Sequence, residues 1–501
     1  VLRPFRQVWI LTAAAIAARL AFIFAHRIDS DEPQHLHVAW AWSRGLVQYR
    51  DVFDNHFPLL HLLFAPLMLV VPESSAVFLL ARLAIAPIAI GASFLLFVLG
   101  RQVIGARAAA VAAITFSVLP PWLAKSVEFR NDTLWIFFWL AAVALAVRRR
   151  PALAGIAAGL CLLASVKAAP LLLAHALALV SRRDGVTSKS ALRVAAGAAI
   201  PLAAVALFMA AHGALDEMLY GTLLFNAKLP VNEARRIGGL VAFAILAPAL
   251  ALRGSRIVRI ENAVARHLTL FAIWYSLVLI CLWPILTPRD FMPLVPLAAL
   301  ALATSRIAPA ALVIAAALAS VWVARLWRPA DLSRIRFVDA VVRLTAPGDY
   351  VFDLKGEAVF RRRPVYYIYD AVGRALIHNG TIPDLTPEQM VARGCCAAMA
   401  DSHQVPTRTR AFLNAHFIDA GALRVCGSVV RGGTFTIAVP QTYAAVGGDG
   451  VVIDGTPYRG PRYLAAGRHT LASSGREPVT VIWWRAVARQ YPSGGTMRSE
   501  K

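Results

Sequence analysis

The sequence predicts a polytopic α-helical membrane protein of about eleven spans, followed by an extracytoplasmic α/β and β-rich C-terminal region. Three observations lead there. First, 58% of the 501 residues are hydrophobic and only 16% are charged. Much of that apolar sequence falls in runs near the roughly 20 residues that cross a bilayer. Second, basic residues cluster in alternate short connections between those runs, while the acidic residues of the same half fall in the others. Third, the long runs stop near residue 328 and give way to short alternating stretches broken by D-G, G-R and S-G pairs. The formal net charge of +23 is thereby placed in membrane connections, which argues against a nucleic-acid partner.

Taken in order, the expected spans are 7–25, 76–99, 106–123, 132–147, 151–168, 170–181, 194–212, 237–252, 267–285, 290–305 and 308–325. The first follows Arg3 and Arg6 with no small-residue cleavage site behind it, so it reads as a retained span rather than a removed signal. Segment 58–71 holds two prolines and a histidine and suits an interfacial or re-entrant helix. Putting the N-terminus in the cytoplasm gathers Arg101 and Arg107, Arg148 to Arg150, Arg182, Arg183, Lys189, Arg193, the 253–266 arginines and Arg306 on that side. An odd number of spans then sends the C-terminal part out of the cytoplasm.

The expected division is a transmembrane domain over 1–328 with a first extracytoplasmic loop at 26–75, an α/β domain over 329–440, a β-rich module over 441–490 and a disordered tail over 491–501. Within 329–440 the runs YVFDL, VYYIYD and FTIAV read as β-rich and TPEQMVARG as helical. Cys161 and Cys281 lie in apolar runs as packing residues. In an oxidising compartment, one of the neighbours Cys395 and Cys396 can bridge to Cys426.

The stretch from Ile28 to His61 breaks the apolar pattern. It carries the carboxylates Asp29, Asp31, Glu32, Asp51 and Asp54 and the histidines His35, His37, His56 and His61. Its D-S-D-E opening precedes Pro33, which suits the first turn of a helix. The plain reading is an acidic helix start that favours the helix dipole. At the exit of a first span, general-base chemistry or a divalent cation held by Asp29 and Asp31 is the stronger one. His35 and His37 point to different helix faces, so the histidines lack metal-ligand spacing.

Three further places hold charge where a membrane chain needs a reason for it. Arg130 and Asp132 sit in V-E-F-R-N-D, where they either fasten two spans or face substrate. Lys167 stands alone between apolar runs, either snorkelling to the surface or holding a phosphate. Arg289 in T-P-R-D-F has the bidentate geometry suited to phosphate, or pairs with Asp290. The loop 213–236 adds Tyr220 and Asn226. With Asp29, His35, Asp54 and His56, these are candidates for the lining of a substrate cavity.

On these residues the sequence resembles the bacterial branch of the protein O-mannosyltransferase and aminoarabinose transferase superfamily, with its glycosyltransferase C fold. DEPQHLHVAWAWSRGLVQYRDVFDNHFPLLHLLFAPL is similar to that family's first extracytoplasmic loop, EFRNDTLWIFFWLAAVAL to its Arg-x-Asp corner, and PRDFMPLVPLAALAL to its arginine loop. The resemblance covers roughly 1–325, and the first motif is the specific one. It implies an inner-membrane enzyme that moves a sugar, with inversion, from a polyprenyl-phosphate carrier to a lipid, glycan or protein acceptor. No cofactor is required, and a divalent cation is an option.

By the same resemblance Asp31 takes the catalytic-base place with Glu32 beside it, and Asp132 joins them. Lys167, Arg289 and Arg130 face the lipid phosphate. The chain departs from the pattern at Gln34 and His35, where tyrosines are usual, and at Asp290, where an aromatic is usual. A transporter or lipid flippase is the rival class. The candidate charges gather at one membrane face with no internal repeat, which favours surface chemistry. An inactive member of the same fold is the other alternative.

Overall fold

The computed structural model describes residues 3–182, 187–228, 232–257, 259–284, 286–326, 331–399 and 404–488. The expected tail at 491–501 and the expected domain border at 328 lie outside these residues.

Helices Arg6–Ala25, Ala76–Gly100, Ser188–Ala211, Glu233–Arg253 and Ala263–Leu282 are long and apolar enough to cross a bilayer. Shorter apolar helices occupy Ala106–Val118, Asn131–Val147, Pro151–Ala164, Ala168–Ser181, Leu294–Ala303 and Pro309–Ala324. The expected span 106–123 stops at Val118 because Pro120 and Pro121 follow, and the chain resumes as the short helix Trp122–Val127. The expected 194–212 starts earlier, at Ser188, where the Thr187 hydroxyl accepts the Ser190 N–H. Its polar first turn hides that start from a hydropathy reading. Segment 58–71 forms two short helices, Leu59–Phe64 and Leu67–Val70, broken before Pro66, with Leu63, Leu69 and Val70 exposed.

Outward faces of the long helices carry exposed Trp9, Phe24, Ile200, Leu207 and Ile245, as lipid contact requires. Between helices, contact is made through small residues. Gly155 and Gly159 face the helix holding Gly197 so closely that a Cβ on Gly155 would stand 2.1 Å from the Val194 carbonyl oxygen.

Beyond residue 331 the chain folds over the opening loop. Its strands are β1 (Val351–Phe352), β2 (Ala397–Met399), β3 (Phe417–Asp419), β4 (Leu423–Val430), β5 (Gly433–Ile437), β6 (Gln441–Val446), β7 (Val452–Ile453), β8 (Thr456–Pro457), β9 (Arg462–Leu464), β10 (Gly467–Ala472) and β11 (Val479–Trp483). One sheet runs β1-β2-β4-β11-β6-β9 with β3 also on β4, and a second runs β5-β10-β7-β8. The expected border between 440 and 441 is therefore not a structural one. β4 pairs antiparallel with β11, Val481 opposite Ser428, and one hydrophobic core runs from Phe337 to Ala486. Cys396 is bonded to Cys426 in this core, with Cα atoms 4.8 Å apart, and Cys395 is a buried free thiol.

The run Val365–Asp370 forms no strand. Its tyrosines instead dock on the first loop, Tyr366 and Tyr367 packing around Phe53 with ring centroids 5.4 and 5.1 Å away. Arg361 reaches Glu73 at 2.7 Å, Asp339 accepts from Ser75 at 2.9 Å, and His37 Nδ1 lies 2.9 Å from the Val359 carbonyl. The C-terminal region thus fixes the opening loop from above.

Candidate active site

Asp31 occupies the N-cap of helix Glu32–Ser43, yet its side chain makes no capping hydrogen bond. It turns instead to cations from distant parts of the chain. Arg130 Nη1 stands 2.6 Å from Oδ2 and Arg289 Nη1 3.5 Å, while Lys355 Nζ is in close contact with Oδ1. The side chain keeps 19% exposure, and Arg289 keeps 31%. Burial pushes the Asp31 carboxyl up, but Arg130 and Lys355 outweigh it and hold the group well below the usual carboxylate range.

Asp29 shares this arrangement. It contacts Arg130 closely, lies 3.3 Å from Lys125, and accepts the Asp31 N–H at 3.1 Å. The expected alternative use of Asp29 and Asp31 as metal ligands meets this obstacle: their oxygens are taken by arginine and lysine. Among the described residues no group of His, Cys, Asp and Glu is arranged to hold a metal.

Glu32, expected beside Asp31 in the chemistry, is placed differently. It is fully buried, and Arg82 grips it with Nε 2.8 Å and Nη2 2.6 Å from its two oxygens. The N–H groups of Asp29 and Phe129 also donate to it, at 2.8 and 3.1 Å. No oxygen is left for a substrate. Asp132 accepts from Arg130 Nε at 3.1 Å and from Trp135 at 3.2 Å, so it orients Arg130. Lys167 pairs with Asp290 at 3.0 Å, and Asp290 also caps its turn through Thr287. Lys167, rather than Arg289 as in the alternative reading, thus pairs with Asp290, and Arg289 lies toward Asp31.

Three of the loop's histidines, His35, His56 and His61, form a network around Asp54. Asp54 is fully buried and accepts from Gln34 at 2.7 Å and Gln48 at 3.0 Å, with His56 Nδ1 at 2.9 Å. Gln48 Oε1 can only accept, so His61 Nδ1 donates to it at 3.1 Å. His61 Nε2 then accepts from His35 Nδ1 at 2.9 Å, which needs the His61 ring neutral. Burial pushes His61 down to about 4 and His35 well below its ordinary value.

Below pH 6.5 the unfolded histidines take up protons that the folded ones refuse, so the stability they contribute is present above 6.5 and falls as pH drops toward 4. The His61 shift alone amounts to about 2 kcal/mol by pH 5. His56 acts in the opposite sense. Burial lowers it, but Asp54 outweighs burial and raises it, so its contribution is lost only as pH rises through its folded value, above 6.5. The melting temperature of the detergent-solubilised chain is expected to fall between pH 6.5 and 5. A flat profile over that window rejects the neutral pair.

Asn226 donates to the Asn55 carbonyl at 2.9 Å, and Asn55 in turn donates to Asp370 at 2.9 Å. Tyr220 lies in a π-helical turn under Lys228, whose Nζ is 5.0 Å from the ring centroid. Both belong to the seam with the C-terminal region rather than to the Asp31 cluster. Lys355 lies outside the residues that the sequence motifs single out. The only sign of it is a lysine in the D-L-K-G-E turn behind β1.

In fold, the chain is similar to ArnT from Cupriavidus metallidurans, known from a crystal structure bound to undecaprenyl phosphate. The TM-score is 0.56 at 14% sequence identity, over 84% of this chain and 97% of that one. The fold is of the glycosyltransferase C type. Since 84% of 501 residues exceeds the 325 of the sequence resemblance, the likeness runs on into the C-terminal region. No protein-family model and no curated protein matches the sequence.

Proposed function

We propose that the chain is an integral-membrane glycosyltransferase that moves a sugar from a polyprenyl-phosphate carrier to an extracytoplasmic acceptor. The observation that carries this reading is the meeting of Asp31 with Arg130, Arg289 and Lys355 at the mouth of the helical half. A carboxylate amid cations is what an inverting displacement from a phosphate needs. The carboxylate takes the acceptor proton, and the cations take the charge left on the departing phosphate. ArnT, bound to undecaprenyl phosphate, supports a carrier of that class.

Asp31 is the base. Clamped by cations it is a weak one. As Arg289 and Lys355 turn to the donor phosphate, their hold on Asp31 loosens and its proton affinity rises. Lys167, 23% exposed beside Asp290, stands as the third phosphate contact. Arg130 is held by Asp29 and Asp132 and keeps Asp31 in place throughout. Glu32 and Asp132 are positioning residues. The orientation that puts the N-terminus in the cytoplasm and the C-terminal region outside belongs to the same proposal.

Lys167→Ala, Arg289→Ala and Lys355→Ala test the phosphate assignment, with transfer measured from a synthetic polyprenyl-phosphate sugar. Each is expected to raise the donor KM or lower kcat by roughly 10- to 100-fold, the effect of removing one charged hydrogen-bond partner. Unchanged donor kinetics in all three would reject it. A flippase would instead show movement of labelled carrier between leaflets with no sugar transferred.

A further inference from the structure

A second site lies on the other end of the helix that Asp31 begins. A cavity of about 300 Å³ opens between the first loop and the C-terminal region, walled by Trp40, Arg50, Tyr350, Arg362, Arg363 and Arg393. That volume is at the small end of ligand pockets. Trp40 lies roughly 13 Å along the helix axis from Asp31, at 1.5 Å per residue.

Two of the four arginines are neutralised within the protein. Arg363 is 2.8 Å from Asp353 and donates to the Leu354 carbonyl at 2.9 Å. Arg50 is 2.8 Å from Asp51 and donates to the His212 carbonyl at 2.8 Å. Arg362 and Arg393 are different. Both are exposed, and among the described residues neither has a carboxylate within ion-pair distance. They flank the same ring. Arg393 lies 5.2 Å from the Tyr350 centroid and donates to its hydroxyl at 3.2 Å, and the backbones of Tyr350 and Arg362 are bridged. Trp40 is 4% exposed, and among the described residues its indole N–H, itself buried, has no hydrogen-bond partner. A buried donor without a partner is costly, and this one belongs to a residue of the cavity wall.

We infer that this cavity binds a saccharide carrying an anionic group, phosphate or carboxylate, as a subsite for the acceptor. The pairing of Arg362 and Arg393 takes the anion, the Trp40 N–H takes a sugar oxygen, and the aromatic wall that includes Phe53 and Tyr366 takes the ring faces. The inference rests on the transferase reading for the word acceptor, and on the cavity alone for the binding. It makes the C-terminal region the part of the chain that chooses what is brought to Asp31.

The test is calorimetric or fluorescence titration of the purified full chain with glucose 6-phosphate, glucuronate, glucose and inorganic phosphate. Glucose 6-phosphate and glucuronate are expected to bind, weakening as salt rises, and glucose to bind far less. The double variant Arg362→Ala/Arg393→Ala should lose at least about tenfold in affinity for the charged sugars with an unchanged melting temperature. Trp40→Phe should weaken binding without abolishing it. Equal binding by the wild type and the double variant would overturn the site, and inorganic phosphate binding as tightly as glucose 6-phosphate would overturn the saccharide. Repeating the titration on Asp31→Asn separates the two readings. Binding retained where transfer is lost supports the subsite by itself, and transfer without any binding to the cavity overturns the subsite alone.

Discussion

Asp31→Asn is expected to lower sugar transfer by about 10² to 10⁴-fold, the usual worth of a positioned general base, while leaving the protein folded. The fold survives because the cations around Asp31 keep other partners. Arg130 retains Asp29 and Asp132, and Arg289 is 31% exposed to solvent. An amide of the same shape cannot take the acceptor proton, and its single oxygen still accepts from one of the two cations that Asp31 holds on separate oxygens, Arg130 or Lys355. Donor binding should therefore change little, and the loss should fall on kcat. The measurement is single-turnover transfer from a polyprenyl-phosphate sugar into envelope lipid and glycan fractions, with melting temperature as the control. Turnover near that of the wild type would remove Asp31 from the base role. The pH profile is a second check. The free carboxylate is held well below the ordinary range, so no loss of activity from Asp31 protonation should appear between pH 5 and 8.

The apolar half of the fold was readable because its signal is local. A run of apolar residues predicts a helix wherever it sits, and errors arise only where other chemistry overrides length. Pro120 and Pro121 cut one expected span short, and the Thr187 cap starts another early. The C-terminal region was less legible. The tyrosines of Val365–Asp370 look like strand residues in isolation, and only the partner surface around Phe53 and Phe225 makes them docking residues. The border drawn at 440 followed a change in turn composition, but β4 and β11 pair across it, a long-range choice with no local mark.

The site divides along the same line. Asp29, Asp31 and Glu32 are three equivalent acids by spacing, and their fates are set by residues far away in sequence. Arg289 is 258 residues from Asp31 and Lys355 is 324. The resemblance to a known loop pointed to Asp31, Arg130 and Arg289. It could not point to Lys355, which lies beyond the residues that carry it. Arg82 stands inside the apolar run FLLARLAIAP, and an arginine there needs a buried acid.

That acid is Glu32, and its loss is expected to damage the fold rather than the chemistry alone. Arg82 donates to both Glu32 oxygens and to the carbonyls of Ile23, His26 and Arg27, so the pair ties the end of the first helix, the loop and the helix Ala76–Gly100 together. Breaking one side of a buried pair leaves a charge with no compensation, at a cost of about 3–5 kcal/mol. Glu32→Gln and Arg82→Met should each lower the melting temperature and the yield of folded protein extracted in detergent. If Arg82 and Glu32 act as one unit, Glu32→Gln/Arg82→Met should be less destabilised than the sum of its single variants, because the orphaned charge disappears with its partner. Asp31→Asn supplies the contrast: activity falls and the melting temperature stays. Were Glu32→Gln to melt like the wild type while transfer vanished, Glu32 would move from the scaffold into the reaction. Strict additivity in the double variant would show that the two residues stabilise the chain separately.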